Sequence, residues 1–333
     1  MFTMRFDMRA PGRTGEGIAA LYRAAIDMAA WADDKGCAAI IVCEHHASDD
    51  GYLPSPLTLA ASMAAVTSMT PIMVAAAVLP LYDPVRLAEE MIVLDHISRG
   101  RVMFTLAVGY RPEEYELYGV DFGARGKVAD EKLGALLAVL RAAGDGTASP
   151  QVTPAPFTPG GPVLAWGGGS KAAARRAGRN GLAFFAQTNL PGLREAYEES
   201  ARAAGHEPGM CLLPSPDVPT SVFVNDDVDA GWRDVGQALL ADATVYADWT
   251  EAAGVADTTV SISRGRTVEQ LRSERGPHRV VTTAEAAGLI ETHGTLQLQP
   301  LCGGLEPDTA WRYLRRVTDE VIPMVSPPAR PGT

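Results

Sequence analysis

The sequence predicts an α/β fold, a (β/α)8 TIM barrel with insertions at the C-terminal face of its strands, on three observations. Strand-length apolar runs alternate with helix-length amphipathic segments roughly eight times along the chain. The runs are apolar throughout, as strands buried on both faces of a parallel sheet are. The chain of 333 residues is 47% hydrophobic and 21% charged, a globular composition long enough for one large domain spanning 1–333.

The elements follow in order. MFTMRFDM suits a short first strand, and Gly15 to Lys35 places Leu21, Ala25, Met28, Ala29 and Trp31 on one helical face before Gly36 stops it. CAAIIVC, Cys37 to Cys43, has the length and composition of a buried strand. A helix over Ser55 to Thr67, a strand over Ile72 to Leu79 and a helix over Pro84 to Ile97 come next, with Pro84 suited to a first turn and Gly100 to a stop. Then follow a strand over Val102 to Val108, a helix over Lys127 to Ala142, a strand over Val163 to Trp166, a helix over Lys171 to Arg179, a strand over Leu182 to Ala186 and a helix over Gly192 to Ala204. Strands at Ser221 to Val224 and Thr295 to Leu298, and a helix over Asp308 to Val321, complete the barrel. Two stretches fall outside this pattern: the proline-rich Thr147 to Pro162, and about 258–292, an insertion or mobile loop containing SRGRTVEQLRSERGPHR. Both are expected over the barrel mouth.

Twenty-nine basic against forty acidic side chains give a net charge of -11, and no Lys/Arg-rich run is present that would follow a row of phosphates. No nucleic-acid partner is expected. Cys37, Cys43, Cys211 and Cys302 lack CxxC spacing and read as reduced thiols of a cytoplasmic protein. The N-terminus has no apolar leader pattern, and no segment approaches about 18 uninterrupted apolar residues, so no membrane association is expected.

Chemistry is expected where strands end. The second strand ends in Glu44-His45-His46, for which a metal site, a catalytic base and a structural histidine pair are all open readings. Residues adjacent along a strand face opposite ways, so His45 and His46 are poorly placed to chelate one ion, and no metal is expected. Trp166-Gly167-Gly168-Gly169-Ser170 joins a strand to a helix, a turn that can cradle a phosphate on backbone N–H groups or be only a turn. Arg175 and Arg176, further along that helix, read as a solvated face. Ile72 to Pro80, IMVAAAVLP, ends in small residues that leave room for a flat ligand or simply pack small. Gly109 and Tyr110 lie just past a strand, where Tyr110, Tyr115 and Tyr118 line a pocket or anchor a loop.

Taken together, EHH after a buried strand, VLPLYDPVRLAEEMIVLDHISRGR, GYRPEEYELYGVDF and WGGGSKAAARRA resemble the bacterial luciferase-like flavin-dependent monooxygenases. The likeness runs to about Ala204 and resumes at LCGGLEPDTAWRYLRRV. It implies a flavin-dependent monooxygenase that uses reduced FMN from a separate flavin reductase, with O2, through a C(4a)-(hydro)peroxyflavin, to oxygenate a small organic substrate. It implies His45 as the catalytic residue and a non-prolyl cis peptide at Ala75-Ala76 beneath the flavin. Gly169 and Ser170 then hold its phosphate, and Gly167, Gly168 and Gly109 lie at the cofactor. Beside His45, Glu44 and His46 read as supports of its ring or as substrate contacts, and Tyr52, Tyr110 and Gln187 sit where they contact substrate or anchor loops. The resemblance also implies a homodimer, with the helix around Leu87 to Ile97 as its interface. Two departures stand out: Val108 replaces a phosphate-binding arginine and Ala107 a reactive cysteine. Deazaflavin-dependent hydride transfer and a non-catalytic flavin-binding or partner subunit are the alternatives.

Overall fold

Apolar strands pair here in sequence order. The computed structural model describes residues 1–146, 152–255, 259 and 261–325. The first half runs β1 (Phe2–Phe6), α1 (Gly15–Asp33), β2 (Cys37–Val42), α2 (Pro56–Val66), β3 (Ile72–Val78), α3 (Pro84–Ser98), β4 (Val102–Ala107), α4 (Pro112–Leu117) and α5 (Arg125–Asp145). Next come β5 (Val163–Gly168), α6 (Lys171–Arg179), β6 (Ala183–Ala186), α7 (Leu193–Ala203), β7 (Cys211–Leu212) and β8 (Ser221–Val224). The chain continues with α8 (Val228–Ala252), α9 (Val268–Glu274), β9 (His278–Val281), α10 (Thr283–His293), β10 (Leu296–Leu298) and α11 (Pro307–Arg316).

Eight parallel strands form one curled sheet in the order β10-β1-β2-β3-β4-β5-β6-β7, and β8 pairs in parallel with β9. The architecture is a TIM-barrel-like arc of eight strands with a separate two-stranded sheet beside it. Side chains join the two: Ser221 Oγ on β8 donates to Gln299 Oε1, just past β10, at 2.6 Å. Ser221 to Val224 was expected in the main sheet, but its place there is taken by β7. Two residues are too few to show a hydrophobic period, which is why β7 is silent in the sequence.

The segment 258–292, expected as an insertion or mobile loop, carries α9, β9 and most of α10. HRVV opens with a polar pair, and its pairing with β8 rather than its composition makes it a strand. Helix α8 is equally hidden, because Gly231, Gly236 and the buried Asp242 interrupt its apolar stripe. Gly236 is required there, as an added Cβ would stand 2.8 Å from Val268 Cγ1.

Residues 147–151 lie outside the described residues, while 152–162 are not over the mouth. Asp95 of α3 accepts from Thr158 N and Oγ1, each at 2.7 Å, and Ala155 O meets His96 Nε2 at 2.8 Å. In a βα unit the helix returns against its strand, so the end of α3 lies at the face opposite the mouth. No helix among the described residues is long and apolar enough to cross a membrane.

Helix α6, which starts at the glycine turn, packs backbone to backbone on α7: a Cβ on Gly178 would stand 2.3 Å from Tyr197 O and 2.8 Å from Ala201 N. Gly178→Ala is therefore expected to lower unfolding stability by about 1–3 kcal/mol, as overpacking does, measured by urea denaturation.

Candidate active site

β2 stops at Val42, and the next residues turn across the ends of β3 and β4. His45 Nδ1 lies 2.6 Å from Glu114 Oε1, on α4. The same oxygen accepts from the backbone N–H of His46 at 3.0 Å and from Arg111 Nη1 at 3.4 Å. Burial works to raise the Glu114 carboxyl, but the hydrogen bonds from His45 and the His46 N–H, with the Arg111 charge, outweigh it, and its pKa lies below the ordinary 4.5. An ionised carboxylate only accepts, so Nδ1 carries the proton and Nε2 presents its lone pair. Burial lowers the His45 pKa below its ordinary 6.5, against the opposing pull of Glu114, so the ring is neutral near pH 7. The Tyr110 hydroxyl meets Nε2 at 3.5 Å.

His46 goes elsewhere. Its Nε2 meets Glu44 Oε1 at 2.6 Å and its Nδ1 meets the Tyr118 hydroxyl at 3.2 Å. Glu44 also accepts from Val78 N at 3.0 Å and from Tyr82 OH at 2.9 Å. Glu44 therefore ties the end of β2 to the end of β3 and does not hold His45, which corrects the support expected of it. Glu114 has that role, and His46 contributes only its backbone N–H. Glu114 stands in the quoted motif, but nothing in one sequence marks which of Glu113, Glu114 and Glu116 turns inward.

Aromatic rings from both ends of the chain close over His45. Its ring centroid lies 4.9 Å from Tyr52, 5.5 Å from Tyr110 and 4.8 Å from Trp249. Tyr52 and Tyr246 share a hydroxyl–hydroxyl hydrogen bond of 2.6 Å. Arg9 sits beneath these rings, its guanidinium carbon 4.7 Å from Tyr52 and Tyr246 and 4.8 Å from Trp249. It pairs with Asp242 at 3.1 Å and with Asp50. Asp7, 3.5 Å from Arg9 Nε, is pushed up to about 7 by burial and then by the Asp242 charge, with Arg9 and Arg5 opposing. The Arg9–Asp242 pair thus clasps α8, and with it Tyr246 and Trp249, onto the end of β1.

Asp242, His278 and Cys302 have ligand atoms within 4.8 Å of one another. Asp242 Oδ2 is already met by His278 Nε2 at 2.9 Å, whose Nδ1 lies 2.9 Å from Ser263 Oγ, and Oδ1 by Arg9. Burial pushes the Cys302 thiol well above its ordinary value, so it offers no thiolate. Asp242 and His278 form a hydrogen-bonded clasp with two arginines beside it, which already engages both carboxylate oxygens.

The glycine turn lies at the end of β5. Ser170 caps α6, its Oγ accepting from Ala173 N at 3.2 Å. Gly168 has φ +145°, and a Cβ on Gly169 would stand 2.6 Å from Thr188 Cγ2, so glycine is required at both. Gln187 belongs to this side, its backbone N–H donating to Gly168 O at 3.3 Å. The Ala75–Ala76 peptide is cis, and β3 shifts register there. Ala75, Thr105 and Ala165 are in register across β3, β4 and β5 and share one face. Among the described residues, Thr105 Oγ1 on that face is buried with no hydrogen-bond partner. Gly109, at φ +77°, leaves the chain just before Tyr110, and a Cβ there would meet Val78 Cγ1 at 2.8 Å. Arg175 is exposed as expected, whereas Arg176 is buried against Asp130.

The barrel with this mouth is a TIM-barrel-like α/β fold with a buried histidine at its strand ends, and the comparisons narrow it. The sequence profile of the luciferase-like monooxygenases matches residues 4–296, and the chain belongs to that family. It is 33% identical over 89 residues to the alkanal monooxygenase alpha chain of Photorhabdus luminescens, 27% of this chain and 25% of that one. The chain spans between 22% and 35% of the length of the first curated relatives it matches. Among solved structures, the oxygenating constituent of 3,6-diketocamphane monooxygenase from Pseudomonas putida, a type II Baeyer-Villiger monooxygenase in complex with FMN, superposes with a TM-score of 0.69. It is 21% identical, over 98% of this chain and 99% of that one. The coenzyme F420 dependent tetrahydromethanopterin reductase of Methanopyrus kandleri superposes with a TM-score of 0.60 at 14% identity, over 98% and 99% of the two chains.

Glu114→Gln is expected to release the His45 ring, seen by nitrogen NMR as a mixture of tautomers where the parent holds the proton on Nδ1. It is also expected to cost about 1–3 kcal/mol of stability at neutral pH. Because the folded pKa of Glu114 lies below its ordinary 4.5, the carboxylate's contribution is full above that value. It is lost as pH falls through the lower folded value, so parent and variant converge in acid.

Proposed function

We propose that the protein is a flavin-dependent monooxygenase that takes reduced FMN from a separate reductase and inserts one atom of O2 into a small organic substrate. The observation that carries this is the neutral His45, oriented by Glu114, with Nε2 turned to the Tyr110 hydroxyl at the same strand ends as the cis Ala75–Ala76 peptide and the glycine turn. The residues present fit a flavin. Ala75, Ala107 and Gly167 leave a flat, small-residue seat, Thr105 Oγ1 is a buried hydroxyl in want of a partner there, and α6 offers its N-terminus to a phosphate.

Reduced flavin, when bound, supplies the activation of oxygen. This chain supplies the rest. His45 holds or moves a proton at Nε2, with the Nδ1–H fixed on Glu114. Tyr110 faces the same nitrogen, and Tyr52, Tyr246 and Trp249 exclude water from it. A second copy of the chain is a further proposed partner, supported by the exposed Val85, Val93 and Ile97 on α3.

A deazaflavin enzyme transferring hydride is the second reading, favoured by the likeness to an F420 dependent reductase. Anaerobic titration with reduced FMN, followed by oxygen and a panel of alkanals and cyclic ketones, tests the first. His45→Ala is expected to bind reduced FMN like the parent and lose about 10²–10⁴ in product formation, with hydrogen peroxide released instead. Equal product yields from both proteins would remove His45 from the reaction. A parent that ignores FMN yet oxidises or reduces a deazaflavin would establish the second reading.

A further inference from the structure

Bulky branched side chains ordinarily fill the interior of a barrel of this kind. One row of this sheet departs from that. Across β3, β4, β5 and β6 the paired residues are Ala75, Thr105, Ala165 and Ala183, three alanines and one threonine. Val74, Phe104 and Phe184 are their neighbours on the opposite face and are fully buried in the core with the helices, so the row faces the barrel interior. Two positions back along the strands, on the same face, Met73, Met103 and Val163 pair beside Ile41 of β2. Large side chains thus lie beneath the small ones, on the side away from the mouth. Ala75, Ala183, Met73 and Met103 are only half-buried, so the interior keeps room above that floor.

Thr105 is the one polar side chain of the row. It is 3% exposed, and among the described residues its Oγ1 has no hydrogen-bond partner. Its Cγ2 would stand 3.1 Å from a Cβ on Gly167, so the glycine makes room for the threonine methyl. A β-branched side chain has few χ1 rotamers, and the methyl packed on β5 holds the hydroxyl in one of them. Valine would fill the same volume without a polar atom to desolvate, whereas a buried hydroxyl left unmet destabilises the fold. Such a group calls for a partner that arrives with a ligand. The flavin ring is flat and has two unlike edges: a methylated benzene edge with no hydrogen-bonding atom, and an edge of ring nitrogens and carbonyls. The alanines and Gly167 accept either edge, but the hydroxyl gains only from the second. Because a hydroxyl both donates and accepts, it serves the bare nitrogens and carbonyls of oxidised flavin and the N–H groups of reduced flavin alike.

We propose that Thr105 orients the flavin in this barrel: its hydroxyl hydrogen-bonds the nitrogen and carbonyl edge of the ring and so turns the methylated edge away from β4. This rests on the flavin reading above and adds to it the residue that decides which edge enters the alanine row.

The test titrates the whole protein with oxidised FMN, and with reduced FMN in the absence of oxygen, and records the Raman bands of the ring C=O and C=N groups in the bound state. Thr105→Val, which keeps the shape, is expected to lose about 3- to 10-fold in FMN affinity and to shift those bands. Thr105→Ser, which keeps the hydroxyl, is expected to retain both the affinity and the bands of the parent. Without FMN, Thr105→Val is expected to unfold in urea at or above the midpoint of the parent. A Thr105→Val protein that binds FMN like the parent with the same bands overturns the role of Thr105 and leaves the flavin reading standing. A Thr105→Ser protein that loses as much as Thr105→Val does so too, since shape and not the hydroxyl is then what matters. A lower urea midpoint for Thr105→Val overturns it as well, because the hydroxyl then has a partner within the protein. A parent that binds neither form of FMN removes the flavin reading itself.

Discussion

One buried carboxylate holds the mouth of this barrel together. Glu114 Oε1 receives the ring of His45, the backbone N–H of His46 and the guanidinium of Arg111. Those three donors come from the end of β2 and the loop after β4, so the carboxylate locks two strand ends into one geometry. The three donors offset the cost of burying its charge, all of them on Oε1, while Oε2 is buried with no hydrogen-bond partner among the described residues. The tautomer and neutrality of His45 follow from the same contact.

A second buried cluster acts at longer range. Arg9, just past β1, meets Asp242 of α8, which is met in turn by His278 of β9. This charge-assisted chain brings the first and last thirds of the sequence together and places Tyr246 and Trp249 against His45. Arg111 then stacks on Trp249 at 4.0 Å, so the two clusters touch through one indole. The aromatic wall around His45 is thus a product of ion pairs as much as of apolar burial.

The first six strands and their helices, the short α4 apart, were legible because each has its own local signal. CAAIIVC is continuous and apolar, Pro84 opens α3, and α6 begins at a serine cap after three glycines. The last third was less legible for a stated reason in each case: β7 is two residues long, HRVV is half polar, and α8 has its stripe broken by Gly231, Gly236 and Asp242. The proline-rich loop was placed on the wrong face because composition marks a loop but not the end of the barrel it occupies.

The sequence by itself determined the parallel α/β character, the strand-end position of His45 and the glycine turn, since hydrophobic period and turn chemistry are local properties. Only the tertiary structure decided which carboxylate holds His45, that Glu44 serves His46 instead, and that Arg176 is buried rather than solvated. Those outcomes depend on contacts between residues far apart in the chain, 69 positions for His45 and Glu114 and 46 for Arg176 and Asp130. No window short enough to show a period can contain them.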